Sequence, residues 1–327
     1  MPEGPVAAAA GTPALFGDAL AARILKRESQ IVIGLDPDPG ALWPVLAGSA
    51  QGPSDAQAPE ESLAAPLRQP AAIAVLAHCR ALIDAVAPAC VAVKLQLACF
   101  ERLGAAGGTL LEAAAVHARD AGLLVIADGK RGDIGVTARA SAEALFGGVE
   151  TPFGAVAGLG ADAVTVNPLM GRDAVEPFVT AARARGAGVL ALVRTSNPGA
   201  ADVEDLELAR GGMVWERLAG IVDELGRPGV GESGLSDVGA VVGATAPGHL
   251  ARARELMPHA VFLLPGVGAQ GGRVEDLGPA FAPGPAGGLV TASRGIARAY
   301  EASGGDPAEA ARAEAERLRE AAWGLGA

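Results

Sequence analysis

The sequence contains no long uninterrupted apolar run, although half of its 327 residues are hydrophobic. A helix that crosses a membrane needs about 18 or more consecutive apolar residues. The most apolar stretch is interrupted by Asp84, Pro88 and Lys94, and much of the hydrophobic content is alanine. The small residues at the N-terminus are not preceded by a basic region, which a signal peptide would require. We therefore expect a protein with no membrane partner.

Cysteines are few, and basic residues are outnumbered. Cys79, Cys90 and Cys99 are an odd number of thiols without CxxC spacing. This pattern is typical of buried cysteines in a reducing compartment, so we expect a cytoplasmic protein. The four histidines show no metal-ligand spacing. The net charge of −11 argues against a nucleic-acid partner, but it is compatible with a local basic pocket for one phosphate group.

Short, nearly continuous apolar segments recur along the chain and alternate with alanine-rich helical segments. Such segments are typical of parallel strands that are covered on both faces, and eight of them indicate a closed barrel. The predicted strands are 31–36, 91–96, 123–128, 163–168, 188–194, 239–245, 261–265 and 288–293, and the helices between them are 73–87, 108–121, 138–146, 173–186, 211–225 and 247–257. The sequence thus predicts an α/β protein with a single (β/α)8 TIM barrel as its only domain, over residues 1–327.

Four further segments do not belong to the repeating pattern. Residues 14–28 form a predicted N-terminal helix, and residues 306–325, rich in Ala, Glu and Arg, form a predicted surface helix. Residues 47–70 are rich in Ala, Pro, Ser and Gln with few large apolar residues, which predicts a mobile insertion after the first strand. We expect residues 1–12 to be disordered.

Polar residues gather where the predicted strands end, which is where barrel enzymes build their active sites. They stand at or just after most of the strands: Asp36, Lys94, Asp128, Lys130, Asn167, Arg194, Thr195, Ser196, Asn197, Ser293 and Arg294. One such residue means little, but convergence on one rim indicates a functional site. In the stretch LDPDP, Asp36 and Asp38 are suited to a metal ion or sugar hydroxyls, or else to a rigid loop fixed by the two prolines.

The stretch DGKRGD, residues 128–133, places alternating charges after the third strand. Residues two apart on a strand point the same way, so Asp128 and Lys130 are predicted to face one cavity. Lys94 on the neighbouring strand can join them, and Asp133 follows in the loop. A protonated lysine in a dry pocket can stabilise a developing anion and then donate a proton to it. The alternative is an ion-pair network that only closes the barrel mouth.

The stretch PGVGAQGG, residues 265–272, contains one match to GxGxxG. A dinucleotide-binding fold would need an acidic residue about 20 positions later, and too little chain follows for the rest of that fold. Loops after the last two strands of a barrel commonly hold phosphate, and glycines let backbone N–H groups converge on an anion. We therefore predict a phosphate site with Arg294 as its charged partner. The alternative is a flexible glycine loop.

These motifs resemble those of the orotidine 5′-phosphate decarboxylases. The signature DxKxxD followed by isoleucine occurs at 128–134, and further matches run in family order along nearly the whole chain: LDPDP at 35–39, VKLQ at 93–96, TVNPLMG at 165–171, RTSNPG at 194–199, PGVGAQGG at 265–272 and ASRGI at 292–296. The long form, with LDPDP and RTSNPG, is similar to the bacterial branch that includes actinobacterial enzymes. Leu169 departs from the tyrosine that the family often has after VNP.

The resemblance implies conversion of orotidine 5′-monophosphate to UMP and CO2 in pyrimidine biosynthesis, without a metal or an organic cofactor. It also implies a homodimer whose active sites lie at the interface. Lys130 would protonate C6 of the pyrimidine, and Asp128 would lie near the departing carboxylate. Lys94 would bridge Asp128 and the ribose. Asp133 would reach the ribose and the partner's Lys130 across the interface.

A substrate-binding set is implied as well. It comprises Asp36 on a ribose hydroxyl, Ile134 and Thr137 beside Asp133, Ser196 on the base, Gln270 between phosphate and base, and Arg294 with Gly268 and Gly271 on the phosphate.

Two other functions fit parts of the sequence. A magnesium-dependent phosphosugar decarboxylase or aldolase of the same superfamily resembles it in DxKxxD, but generally has an acidic residue where Lys94 stands. A non-catalytic sensor of phosphoribosyl ligands would keep the barrel and the phosphate site. Loss of catalysis should leave gaps in the charged set, and the sequence shows none.

Overall fold

The computed structural model describes residues 13–44 and 70–326. The strands are β1 (Ile31–Leu35), β2 (Ala92–Gln96), β3 (Leu124–Arg131), β4 (Val149–Thr151), β5 (Gly154–Val156), β6 (Ala163–Val166), β7 (Gly188–Arg194), β8 (Val238–Val242), β9 (Phe262–Leu264) and β10 (Gly288–Ala292). The helices are α1 (Phe16–Arg27), α2 (Pro70–Val86), α3 (Leu97–Glu101), α4 (Gly104–Asp120), α5 (Gly135–Ala142), α6 (Arg172–Arg183), α7 (Val214–Gly226), α8 (Gly248–Leu256), α9 (Arg294–Ala297), α10 (Tyr300–Ser303) and α11 (Pro307–Gly326).

Eight of these strands close into a parallel barrel in the order β1, β2, β3, β6, β7, β8, β9, β10, with β10 paired back to β1. This confirms the predicted (β/α)8 barrel, and each predicted strand overlaps an observed one. The sheet is buried on both faces, by the barrel interior and by the surrounding helices, which explains why the strand sequences are continuously apolar. In β1 and β8, for example, all five residues are buried.

The barrel interior is filled by side chains that alternate along the strands with those of the outer layer. Val32 and Ile126 belong to the inner apolar cluster, whereas their neighbours Ile33 and Val125 belong to the outer one beneath the helices. This alternation follows from the two-residue period of a strand. Residues of the inner parity that lie nearer the carboxyl ends point into the same interior, and there the side chains become polar.

The predicted N-terminal helix is confirmed as α1, which closes the N-terminal end of the barrel. Phe16, Leu20 and Ile24 recur one turn apart and lie in the inner apolar cluster. Gly188 begins β7 at this end, and a Cβ there would lie 2.5 Å from the Phe16 ring. Glycine is required at this position because the aromatic ring occupies the space of a side chain. The opposite, carboxyl end of the barrel is therefore the open one.

The C-terminal segment forms the predicted helix, α11, but one of its faces is buried. Ala311, Ala315, Leu318 and Ala322 lie three to four residues apart and are all buried. This face packs against α2 and the 3-10 segment Val274–Phe281. Small side chains allow this close approach, so α11 belongs to the outer layer of the barrel and exposes only its charged face.

The hairpin formed by β4 and β5 is absent from the predicted elements. Its strands have three residues each, too few to show a two-residue alternation in the sequence. It follows a π-helical turn at Glu143–Gly147, and Phe153 at its tip is exposed. None of its residues lines the cavity described below.

Two predictions concern residues that lie outside the described part of the chain. These are the disorder of residues 1–12 and the mobility of residues 47–70, apart from Pro70, which begins α2. Within residues 13–44 and 70–326, no helix has the length and apolarity that a membrane crossing needs.

Candidate active site

A cavity of about 430 Å³ opens at the carboxyl ends of the barrel strands. It is lined by most of the predicted site residues: Asp36, Lys94, Asp128, Lys130, Ser196, Gln270 and Arg294. They come from β1, β2, β3, β7, β9 and β10 or from the loops that follow these strands. Closure of the barrel therefore gathers side chains that are far apart in the sequence, as expected for this end of the fold.

The Asp128 carboxylate is the centre of the charged part of the cavity. The Lys94 Nζ atom lies 2.6 Å from Oδ2, and the Lys130 Nζ atom lies 2.6 Å from Oδ1. The Thr165 hydroxyl lies 2.8 Å from Oδ1, and the Gln96 amide nitrogen lies 3.4 Å from Oδ2. Donors on both oxygens fix the orientation of the carboxylate, because an ionised carboxylate only accepts hydrogen bonds.

Burial and the neighbouring charges shift the pKa of Asp128 in opposite directions. The residue is only 4% exposed, and Lys94 only 5%. Burial by itself raises the pKa of Asp128, but the charges and hydrogen bonds of Lys94 and Lys130 outweigh it and lower the pKa to about 2. Asp128 is therefore ionised at neutral pH. The Lys130 side chain is 43% exposed, so it is the ammonium group that a ligand reaches more easily.

Asp128 and Lys130 meet by a different route from the regular strand alternation that we predicted. Between Ala127 and Arg131 the pairing of β3 with β6 shifts register, so that three residues of β3 stand opposite one residue of β6. Lys130 has a left-handed backbone, with φ of 46°, which is rare for a residue with a side chain. The lysine therefore returns to Asp128 through a bulge. Such strained backbone is concentrated at functional sites.

The wall opposite the charged residues is mostly apolar. Leu192, Val241 and Leu263 line it from β7, β8 and β9. On β10, the Thr291 hydroxyl is buried and has no hydrogen-bond partner among the described residues. A ligand in the cavity thus meets charges on one side and hydrocarbon on the other. The apolar wall lowers the local dielectric constant and strengthens the electrostatic interactions of the charged side.

The glycine-rich loop after β9 forms one rim of the cavity. Gly268 and Gly271 have positive φ, 75° and 89°, which favours glycine. Their N–H groups donate within the loop, to the carbonyls of Gly272 (2.9 Å) and Gly268 (2.8 Å). These two glycines therefore shape the loop, whereas Ala269 and Gln270 line the cavity. A direct contact between the two glycines and a ligand stays a prediction.

Arg294 is the cationic residue at the rim next to this loop. It begins α9 directly after β10, is exposed, and lines the cavity together with Ser293 and Gly295. Its guanidinium group has the forked geometry that binds a phosphate group through two hydrogen bonds. On the other side of this loop, the Thr245 hydroxyl donates to the Ser196 carbonyl (2.9 Å) and holds that segment in place.

Besides Gly268 and Gly271, three predicted site residues do not line the cavity of their own chain: Asp133, Ile134 and Thr137. Asp133 Oδ1 accepts the N–H of Ile134 (2.8 Å) at the start of α5. The Ile134 side chain is 52% exposed, and Thr137 is exposed on α5. The fold therefore separates this group from the other predicted residues and leaves its side chains at the surface.

Several cavity residues are absent from the predicted substrate-binding set, namely Gln96, Thr165, Thr195, Asn197 and Thr291. A usable indication existed for three of them. Gln96 lies two residues after Lys94 and so shares its direction, and Thr165 and Thr291 are polar residues inside apolar runs. Thr195 and Asn197 follow the fifth predicted strand and were expected at the rim, but the sequence does not distinguish a ligand-binding residue there from an ordinary turn residue.

Two polar residues predicted at the rim have structural partners instead. The Asn167 side chain accepts the N–H of Leu169 (3.0 Å) and caps a short 3-10 turn. Arg194 is buried and pairs with Asp205 through Nε and Nη2 (2.8 and 2.9 Å). Neither residue lines the cavity. The side chains of these two residues therefore stabilise the rim and do not line the ligand cavity.

The two aspartates of LDPDP have different surroundings. Asp36 lines the cavity, whereas the Asp38 carboxylate accepts the N–H of Gly40 (3.1 Å) within a turn. In the part of the chain that the structure describes, no three His, Cys, Asp or Glu side chains gather in the manner of metal ligands. Asp36 thus remains available for a ligand hydroxyl.

Comparison with known proteins gives these observations a context. The sequence profile of the orotidine 5′-phosphate decarboxylase / HUMPS family matches residues 30–313. A protein of Deinococcus radiodurans named orotidine 5′-phosphate decarboxylase is 41% identical over 304 residues, which cover 93% of this chain and 96% of that protein. One of the same name from Rhodopirellula baltica is 41% identical over 289 residues, covering 88% and 89%. This chain belongs to the orotidine 5′-phosphate decarboxylase / HUMPS family. The matched residues include every barrel strand and the whole cavity lining.

Solved structures with related sequences share the fold over nearly the whole chain. A putative orotidine 5′-phosphate decarboxylase from Streptomyces avermitilis is 29% identical with a TM-score of 0.75, covering 98% of this chain and 99% of that chain. A putative orotidine-monophosphate decarboxylase from Toxoplasma gondii is 30% identical with a TM-score of 0.72, covering 97% and 98%. Family membership thus extends from the sequence to the complete barrel.

Proposed function

We propose that this protein decarboxylates orotidine 5′-monophosphate to UMP and CO2. The observation that carries the proposal is the buried, ionised Asp128 between the ammonium groups of Lys94 and Lys130. This group lies at one side of a cavity that has Arg294 at its rim. The named activity of relatives that match along most of their length supports the same reaction.

In this reaction the bond between C6 of the pyrimidine and its carboxylate breaks, and CO2 leaves. The bonding electron pair stays on C6 as a carbanion. Lys130 Nζ then donates a proton to C6, and the new C–H bond completes UMP. The lysine is left as a neutral amine and regains its proton from solvent, which its partly exposed side chain can reach. No other reactant is consumed except this proton.

The protein itself must supply most of the rate enhancement. Enzymes lower barriers by about 8–23 kcal/mol, whereas one general acid contributes only about 10²–10⁴-fold. Lys94 and Lys130 are fixed by Asp128 before the substrate arrives, so their charges need no reorganisation when C6 becomes an anion. We propose that this preorganised charge supplies the larger share of the rate enhancement. We also propose that the reaction uses no metal or organic cofactor.

Binding of the phosphate and the ribose would position the pyrimidine. In this proposal Arg294 holds the phosphate, Asp36 binds a ribose hydroxyl, and Ser196 contacts the base. Gln270, in the glycine-rich loop, would connect phosphate and base. Binding energy from these remote groups is used to orient the reacting carbon over Lys130.

We also propose a homodimer with active sites at the interface. An apolar surface on the rim supports it, formed by Ile134, Val136, Leu169 and Met170, which are 50–80% exposed. The two segments that carry this surface follow the neighbouring strands β3 and β6, which are joined at their ends by the Asn167 N–H donating to the Arg131 carbonyl (2.8 Å). Exposed apolar patches at one site are typical of protein interfaces. Asp133 and Thr137 would then serve the partner's cavity.

Mixing two inactive variants tests the shared site. If Asp133 serves the partner's cavity, Lys130→Ala and Asp133→Ala mixed in equal amounts after dissociation and reassembly should regain about a quarter of wild-type activity, since half of the dimers then hold one complete site. A mixture that stays inactive, although sedimentation shows that subunits exchange, would refute the interface.

The reaction is tested with purified protein, orotidine 5′-monophosphate and excess EDTA, by following the ultraviolet change on conversion to UMP. Turnover is the expected result. Binding without turnover would favour the phosphoribosyl-ligand sensor. If the protein neither binds nor converts the nucleotide, a magnesium-dependent phosphosugar substrate becomes the better hypothesis.

A further inference from the structure

We propose that Thr165 is a positioning residue that places the proton-donating ammonium group of Lys130 next to Asp128. The inference rests on the proposed function, because Lys130 is taken there as the proton donor. Thr165 is completely buried in β6 and lines the cavity. It belongs to no part of the mechanism described so far.

At the bulge, Asp128, Gly129 and Lys130 of β3 all stand opposite one residue of β6, Thr165. Ala127 pairs with Val164 and Arg131 pairs with Val166, so the backbone ladder is interrupted at Lys130. The Lys130 N–H instead donates to the Thr165 hydroxyl oxygen (2.9 Å). A side chain thus replaces the missing backbone acceptor. An unsatisfied N–H at this partly buried place would be unfavourable.

The direction of the second hydrogen bond follows from chemistry. The Thr165 oxygen already accepts the Lys130 N–H, and the ionised Asp128 can only accept. The single hydroxyl proton therefore points at Asp128 Oδ1, 2.8 Å away. One hydroxyl joins the backbone of the lysine to the carboxylate that its own ammonium group contacts.

This link counteracts the strain of the lysine backbone. A residue with a side chain keeps a left-handed conformation only where its surroundings enforce it. Lys130, with φ of 46°, is anchored at its N–H by Thr165 and at its Nζ by Asp128. Without the hydroxyl, both the backbone and Asp128 lose a partner. The ammonium group would then occupy its productive position for a smaller fraction of time.

Two substitutions separate positioning from simple packing. Thr165→Val keeps the branched shape and removes the hydroxyl, and Thr165→Ser keeps the hydroxyl and removes a methyl group. We expect Thr165→Val to lower kcat by about 10- to 100-fold, the usual effect of losing a hydrogen bond to a charged group. KM should change by less than about threefold, because the proposed substrate contacts are elsewhere. Thr165→Ser should keep kcat within about fivefold of wild type.

A matched control is Thr180→Val, which makes the same change on the exposed face of α6 and should leave kcat and KM unaltered. The proposal is overturned if Thr165→Val retains wild-type kcat, if the loss is in KM alone, or if Thr165→Ser is as impaired as Thr165→Val. Should Thr165→Val fail to fold, Thr165→Ala against Thr165→Ser gives the same comparison, since the two differ by one oxygen.

A readout besides activity separates this proposal from the proposed function. Crystal structures of wild type and Thr165→Val should differ at Lys130, which leaves the left-handed region or moves its Nζ away from Asp128 in the variant. An unchanged Lys130 would overturn the positioning role. If wild type does not convert orotidine 5′-monophosphate, the proposed function fails, while the structural comparison still decides the role of Thr165.

Discussion

Substituting Lys94 by methionine should lower the free energy of unfolding, because the buried Asp128 carboxylate loses one of its two cations. Methionine matches the length and apolar character of the lysine stem but carries no charge. It would leave Asp128, 4% exposed, with Lys130 as its remaining cation. Removing one partner of a buried ion pair is destabilising because the other charge stays desolvated.

The magnitude follows from the pKa of Asp128, which is lowered from 3.8 to about 2. At about 1.4 kcal/mol per pKa unit, the ionised carboxylate contributes about 2 kcal/mol to folding at neutral pH. Lys94 supplies the largest of the contributions that lower this pKa. We therefore expect Lys94→Met to reduce the free energy of unfolding by at least about 2 kcal/mol at pH 7.5.

The pH dependence distinguishes this mechanism from a loss of packing. In wild type, the contribution of Asp128 is fully present above pH 3.8 and is lost as the pH falls through 2. In Lys94→Met, one of the two cations that oppose burial is missing, and burial should raise the pKa of Asp128 above its ordinary value of 3.8. Protonation then relieves the uncompensated charge, so the deficit of the variant should shrink as the pH falls from 7.5 towards 5.

Urea unfolding at pH 7.5, 6 and 5 measures this deficit. Lys26→Met is the matched control, because Lys26 is exposed on α1 and is the only other lysine of the sequence besides Lys130. Its deficit should be small and independent of pH. The reasoning is refuted if Lys94→Met is as stable as Lys26→Met at pH 7.5, or if its deficit grows on acidification.

Three further predictions concern proton donation, phosphate binding and acid stability. Lys130→Ala should lower kcat by at least about 10²–10⁴-fold with a much smaller change in substrate affinity, measured by steady-state kinetics and by titration with UMP; near-normal turnover would remove Lys130 as the proton donor. Arg294→Ala should lower kcat/KM strongly and reduce the preference for orotidine 5′-monophosphate over unphosphorylated orotidine, and an unchanged preference would place the phosphate elsewhere. Burial lowers the pKa of His78 from 6.5 to about 4. Because the unfolded chain takes up this proton first, wild type should lose about 2 kcal/mol of stability between pH 7 and 5 through this group. His78→Asn keeps an acceptor for the Trp43 N–H and should lose less stability over the same range in urea unfolding; equal losses would contradict the assignment.

The barrel was predictable because parallel strands buried on both faces carry a continuous apolar pattern. All eight barrel strands overlap their predicted ranges, and α1 and α11 occur where they were expected. Short elements such as the β4–β5 hairpin have no such pattern, since three residues cannot display a period. Likewise, the apolar face of α11 is made mostly of alanines, which do not distinguish a packed face from a surface one.

In the candidate site, too, some features could be predicted from the sequence and others could not. The order of motifs along the chain indicated that Lys94, Asp128, Lys130 and Arg294 gather at one rim, because all strand ends of a parallel barrel meet at one end. The β3 bulge and the left-handed backbone of Lys130 could not be predicted, because they depend on how β3 pairs with β6. Sequence patterns within one strand do not specify this pairing. The role of Thr165 depends on that register. A polar residue inside an apolar strand indicates the cavity, but the two hydrogen-bond partners of Thr165 follow only from the register.

The fold class and the kinds of residue in the site could be predicted from the amino-acid sequence, because hydrophobic periodicity and residue chemistry are local properties of the chain. The contacts that these residues make depend on the tertiary structure. It brought Lys94, Lys130 and Thr165 to one carboxylate, turned Arg194 outward to Asp205, and left Asp133 outside its own cavity. These outcomes depend on distances and burial between segments that are distant in the chain, and local sequence does not contain such distances.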